Sequence, residues 1–225
     1  MARPTKRKKG VTKSLILHAA SKLFLERGYS NTRIADIAAE ANVSYNEVFR
    51  ICTDKDTILS ELVGLVIEFQ FEKTKKILSG VTDDKLLMYA FESALQLNMA
   101  ESIEHIREMY AVSYSLPNST HAIYKVLTSK LEETFKEFLP DYTTKDFYEL
   151  EIATAGIMRG FITVPCDMYF TMDRKIKRFI ESTFKIFEIP KKDIERTVDF
   201  VLNYDFKPIS KEVIETLFIY LSDNT

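Results

Sequence analysis

The stretch Thr32–Cys52, TRIADIAAEANVSYNEVFRIC, decides the fold class. Ile34, Ile37, Ala38 and Ala41 recur at three-to-four spacing, the period of one helix face, and Thr32 stands where a cap would begin that helix. Asn42 follows, a residue that tolerates the left-handed backbone of a tight turn. Ser44 then opens another helix, and Ser44-x-x-Glu47 has the form of a capping box, in which the two residues satisfy each other's backbone N–H groups. Val48 and Cys52, four apart, are expected to face inward. Upstream, Leu15, Ile16, Ala19, Ala20, Leu23 and Phe24 form an earlier helical face that Gly28 closes. Three short helices with a tight turn between the second and third describe a helix-turn-helix unit.

Downstream, Thr53-x-x-Asp56 reads as a further capped start. It opens a long helix through Ile58, Leu59, Leu62, Leu65, Val66 and Phe69, ended by Gly80. Asp83-Asp84 lies at the next helix start and suits capping. Further helices are expected over about 83–101, 102–115, 119–138, 144–164, 168–188, 191–204 and 209–221. Pro117, Pro140, Pro165, Pro190 and Pro208 are expected between those segments. No strand alternation or internal repeat stands out, and Gly and Pro number only 6 each. The expected architecture is all-α: a basic arm over 1–11, a helix-turn-helix domain over 12–54, and a larger helical domain over 55–225. The long helix forms a rigid connection between the two domains.

The net charge of −2 hides an asymmetry. The first sixty residues hold eleven basic and six acidic side chains, and the remainder twenty and twenty-seven. A basic quarter joined to an acidic remainder points to a polyanion met by the first part alone. Cys52 and Cys166 lack CxxC or zinc spacing, which fits a reducing compartment with both as small buried hydrophobes. Lys13, His18 and Lys22 interrupt any signal-like apolar run, and no stretch of 18 apolar residues occurs, so a cytoplasmic location is expected.

The segments Ala19-Ala20-Ser21-Lys22-Leu23-Phe24, Gly28-Tyr29, Thr32, Ile37-Ala38 and Val43-Ser44, then Val48-Phe49 with Lys55 and Leu59, resemble the N-terminal signature of the tetracycline-repressor (TetR) family. The resemblance covers roughly residues 13–60. It implies a dimeric repressor whose larger domain binds a small effector and re-spaces two DNA-reading heads. The sequence departs from the family pattern: the family usually has Gly at Asn42 and Asn46, Thr at Glu47, a Tyr pair at Phe49 and Arg50, and Phe at Cys52. These departures leave the fold intact and change the donors offered to DNA.

In a helix-turn-helix the third helix enters the major groove with its N-terminal residues at base edges. Here those are Tyr45, Asn46 and Glu47, with Arg50 one turn along and Ser44 and Phe49 on the same surface. Asn suits adenine, Arg guanine and Glu a cytosine amino group, although the capping box by itself accounts for Glu47. Thr32, Arg33, Tyr45 and Lys55 are candidate phosphate contacts. The arm residues Arg3, Lys6, Arg7, Lys8 and Lys9 either follow the minor groove or form a solubilising tail. The expected partner is a palindromic double-stranded operator.

In the larger domain, Met109, Tyr110, Tyr114, Met158 and Phe161 are candidate lining for an apolar effector pocket. Ala153, Gly156 and Gly160 form a small-residue stripe, suited either to a homodimer contact or to close packing within one chain. Glu101, His105 and Glu108 share helical spacing; a solvated charged face explains them better than a metal site, which would need His121 from elsewhere. His18 reads as structural. No cofactor or metal is expected. A constitutive architectural DNA protein is the alternative; an enzyme is disfavoured because no HExxH, GxSxG, CxxC, Walker or GxGxxG motif occurs.

Overall fold

The computed structural model describes residues 9–223. Among these, eleven α-helices follow one another with no strand between them. The head comprises α1 (Lys9–Arg27), α2 (Ile34–Glu40) and α3 (Tyr45–Ile51), and α4 (Lys55–Leu78) leads out of it. The body adds α5 (Lys85–Ser102), α6 (Glu104–Ser113), α7 (Pro117–Phe135) and α8 (Thr144–Thr163). It is completed by α9 (Met172–Ile186), α10 (Lys191–Leu202) and α11 (Phe206–Asp223).

The helix ends follow local chemistry, and several differ from the sequence expectations. Helix α1 begins at Lys9, inside the span expected to be arm, because buried Thr12 and Ile16 anchor its first turns and no proline lies within Lys9–Arg27 to interrupt it. Helix α4 is capped by Asp54 rather than Thr53: the Asp54 carboxylate accepts from the Thr57 N–H at 2.7 Å. Helix α9 starts later than expected, since the Asp167 side chain accepts from the N–H groups of Tyr169 and Phe170 and holds that segment in a turn. Pro117 is the first residue of α7, and Pro208 lies in the first turn of α11 rather than between helices. The first turn carries N–H groups with no partner inside the helix, so proline costs nothing there. Asn42 (φ 51°), Gly28 (φ 87°) and Gly80 (φ 75°) take the left-handed turns expected of them.

Two apolar cores result. In the head, Ile16, Ala20, Phe24, Ile37, Val48 and Cys52 pack with Ile58 and Leu59 of α4 and with Leu221 of α11. In the body, Phe91, Phe135, Phe147, Phe179, Phe184 and Phe187 dominate, with Phe135 and Phe187 stacked at 3.8 Å. Each such buried ring contributes roughly 1.5–3 kcal/mol of transfer free energy. Helix α4 serves both cores, Leu59 and Leu62 toward the head and Leu78 toward the body. Among the described residues no helix is long and apolar enough to cross a membrane.

Candidate nucleic-acid interface and the cavities behind it

The turn at Asn42 and the capping box set the angle at which α3 leaves the head. The Ser44 hydroxyl accepts from the Glu47 N–H at 3.2 Å, and the Glu47 carboxylate accepts from the Ser44 N–H at 3.1 Å and from its hydroxyl at 3.0 Å. Glu47 is thus engaged as a cap. Burial of Val48 and Cys52 fixes the rotation of α3 and turns Tyr45, Asn46, Phe49 and Arg50 to solvent together. Tyr45 is 51% and Phe49 54% exposed, unusual for rings next to a packed core. Arg33 is exposed at the start of α2, where its N–H donates to Asp36 at 2.9 Å.

Two expected phosphate contacts, Thr32 and Lys55, also make contacts within the head. The Thr32 hydroxyl is buried and donates to the Gly28 carbonyl at 2.8 Å, so it ties the end of α1 instead of facing outward; Arg33, not Thr32, occupies the cap position of α2. The Lys55 ammonium donates to the carbonyls of Tyr29 (2.7 Å) and Thr32 (3.0 Å) and lies 3.9 Å from the Tyr29 ring centroid. Burial holds the Lys55 pKa below its ordinary value. Lys55 is a clamp inside the head. Of the arm, Arg3, Lys6, Arg7, Lys8 and the side chain of Lys9 fall outside the described residues.

The head is joined to the body by polar contacts that sequence spacing did not reveal. The Glu108 carboxylate on α6 accepts from the N–H groups of Tyr29 (3.0 Å) and Ser30 (2.9 Å). Burial raises its pKa, but these hydrogen bonds outweigh that and leave it below the ordinary carboxylate range. A Cβ at Gly28 would collide with this carboxylate, so glycine serves both the left-handed turn and the close approach. His105 Nδ1 lies 2.7 Å from the Leu25 carbonyl. On the other side, Asp56 of α4 accepts from Asn118 N–H (2.8 Å), Ser119 N–H (3.1 Å) and the Ser119 hydroxyl (2.6 Å), capping α7.

Glu101, His105 and Glu108 therefore do not share a solvated face. The chain breaks at Ile103 between α5 and α6, and Glu101 turns instead to Lys175 at 2.8 Å. Among the described residues no group of His, Cys, Asp and Glu has the arrangement of a metal site. His18 Nε2 meets the Ser222 hydroxyl at 3.3 Å. Asp84 caps α5 as expected, accepting from Leu86 and Leu87. Cys52 is buried, whereas Cys166 is only half-buried beside Met172.

Behind the head lies an almost wholly apolar cavity of about 750 Å3, part of it open to solvent. Ser21 and Leu25 of α1, Leu62 and Val66 of α4, and Met109 and Tyr110 of α6 are among its walls. A second, far more polar cavity lies between α4, α5, α7, α8 and α9. The two share Ile67, Gln96 and Tyr114, and a 2.7 Å hydrogen bond from Gln96 to the Tyr114 hydroxyl lies on their common wall. Met109, Tyr110 and Tyr114 thus meet at one cavity. Met158 lines the second, and Phe161 borders an open depression with Gly160 and Phe170. The pocket expected from five residues is divided because Met158 and Phe161 lie on α8, on the far side of Tyr114.

Ala153, Gly156 and Gly160 are exposed along α8, with nothing within 4 Å of where a Cβ on either glycine would stand. Close packing within one chain does not account for the stripe. Exposed Tyr148, Ile152 and Val164 extend an apolar surface along the same helix.

Residues 16–62 match the family described as "Bacterial regulatory proteins, tetR family". The chain carries a tetR-family domain. The HTH-type transcriptional regulator HbdR of Aromatoleum sp. (strain CIB) is 37% identical over 67 residues, 30% of this chain. That match spans 29% of the length of HbdR. A crystal structure of RolR in complex with resorcinol superimposes with a TM-score of 0.64 at 15% identity, covering 86% of this chain and 94% of that one. RolR without ligand gives 0.54 at 17% identity, covering 79% and 96%. The tetR-family domain is thus set on a body with the fold of RolR.

Proposed function

We propose that this protein is a sequence-specific DNA-binding transcriptional regulator, a repressor that leaves its operator when a small, largely apolar molecule occupies the cavity behind the head. One observation carries the reading: Ser21 and Leu25 of α1 form part of the wall of that cavity, so whatever fills it presses directly on a helix of the head. A ligand weakens DNA binding only as far as it favours the head orientation that does not fit DNA. Helix α4 and the Glu108 and Asp56 contacts transmit that preference. The likeness to RolR supports a small-molecule effector, since RolR, of the same fold, forms a complex with the ligand resorcinol.

In this reading Asn46 and Arg50 contact base edges, Tyr45 and Arg33 contact phosphate, and Phe49 contributes an apolar contact. Ser44 and Glu47 hold α3 in place, Thr32 and Lys55 hold the head together, and the arm residues Arg3 to Lys9 follow the DNA backbone. Two copies pair through α8 and α9 across Ala153, Gly156 and Gly160, which suits a palindromic site in cytoplasmic DNA.

The test is fluorescence anisotropy with DNA flanking the protein's own gene across a salt series. Tight, salt-sensitive binding that favours a palindromic fragment is expected, and Arg33→Ala should weaken it with a salt slope smaller by about 0.9. Weak binding, equal on all sequences, would replace the regulator with an architectural protein.

A further inference from the structure

The second cavity contains an unusual group. Glu151 of α8 is only 2% exposed, yet its Oε1 has no hydrogen-bond partner, and its Oε2 meets only the Thr154 hydroxyl at 3.2 Å. A buried carboxyl group with an unpartnered oxygen destabilises the folded state, so its retention calls for an explanation. The groups facing it provide no compensating cation. From α5 come Tyr89 and Glu92, from α6 Tyr114, and from α7 Tyr124 and Lys130; α4 and α9 contribute the uncharged Gln70, Phe71 and Phe179. The one ammonium, Lys130, is engaged elsewhere, 3.7 Å from Glu92 and 5.1 Å from the Phe71 ring centroid.

We propose that this cavity binds an organic cation, a protonated amine on an aromatic or aliphatic body, with its N–H groups on Glu151 and its apolar part among Phe71, Tyr89, Tyr114 and Phe179. The orphan oxygen supplies the charge, and the rings supply the apolar walls and π-faces that favour a cation out of water. A molecule too large for this cavity extends past Gln96 and Tyr114 into the apolar one. The inference deepens the effector reading above by giving the effector a chemical class, but the binding itself does not depend on that reading.

A proton provides a direct readout. Burial pushes the Glu151 carboxyl up to about 8, with the Thr154 hydrogen bond acting in the other direction, so the empty site is mostly protonated at neutral pH. A cation demands the carboxylate, so binding must expel that proton to buffer. At pH 7 this is about 0.9 proton per ligand, and amine affinity rises with pH until about pH 8. A neutral alcohol or phenol needs no such release.

The experiment is isothermal titration calorimetry of the full chain with naphthylethylamine, naphthylethanol and naphthylacetate, in buffers of different ionisation enthalpy. The amine should bind at least roughly tenfold more tightly than the other two and release close to one proton. Glu151→Gln, a neutral isostere, should remove both the preference and the release, while Glu92→Gln keeps the release. Naphthylethanol binding as well as the amine, amine binding without proton release, amine binding unaffected by Glu151→Gln, or no binding by any of the three overturns the proposal. The release is read on the unaltered protein, so the test survives a poorly folded variant. Amine binding with proton release but unchanged DNA affinity leaves the cation site standing and removes the effector role of this cavity. Release of DNA by naphthylethanol with no amine preference does the reverse.

Discussion

Replacing Lys55 by methionine separates two roles that look alike in the sequence. Its ammonium holds the carbonyls of Tyr29 and Thr32 and covers the Tyr29 ring, so removal leaves two half-buried acceptors without their donor. A hydrogen bond to a charged group contributes about 1.5–3 kcal/mol, and partial access to water favours the lower end. The cation–π contact adds roughly 0.5–1 kcal/mol, while methionine keeps most of the apolar stem packing. Lys55→Met should therefore destabilise the protein by about 3.5–4 kcal/mol, a fall of roughly 7–16 °C in Tm for a chain of this size. Urea unfolding measures the first quantity and calorimetry the second. The salt slope of DNA binding, measured on the folded variant, should equal that of the unaltered protein. If the slope instead drops by about 0.9 while stability is unchanged, Lys55 is a phosphate contact and the clamp is wrong.

Glu151→Gln should be more stable than the unaltered protein by on the order of 3 kcal/mol at pH 7, with the difference vanishing near pH 4. The sign follows from a folded pKa of about 8 above the ordinary 4.5: stability falls as pH rises between the two values. Equal urea midpoints across that range would show that Glu151 is not desolvated. Ser44→Ala should cost about 1 kcal/mol by removing the α3 cap, read in the same unfolding assay, and no loss would mean that Glu47 holds the turn alone. Gly156→Arg, placed in open space on α8, should turn the proposed dimer into a monomer in sedimentation velocity while the helical far-UV circular dichroism is kept; unchanged sedimentation would place the interface elsewhere.

Much of the head could be read from residue order, because its devices are local. Ser44 and Glu47 are three residues apart, Asn42 and Gly28 take the left-handed turns their types allow, and Val48 and Cys52 face one way by helical period. The α8 stripe likewise follows from spacing within one helix, the all-α class from helical periods repeated along the chain, and the tetR-family likeness from motifs spread over α1 to α4. Glu101, His105 and Glu108 misled because spacing cannot show a helix break at Ile103, nor that Glu108 meets Tyr29 and Ser30 about eighty residues earlier. A partial sign was present for Glu92 and Glu151, acids set among apolar neighbours, but an isolated acid there reads equally well as one that reaches solvent. Local chemistry thus determined the helices, their caps and the face that α3 presents. Tertiary packing decided the rest, because burial and partnership depend on what distant helices bring: it made Thr32 and Lys55 internal ties, split the expected pocket in two, and enclosed Glu151 without a counter-ion.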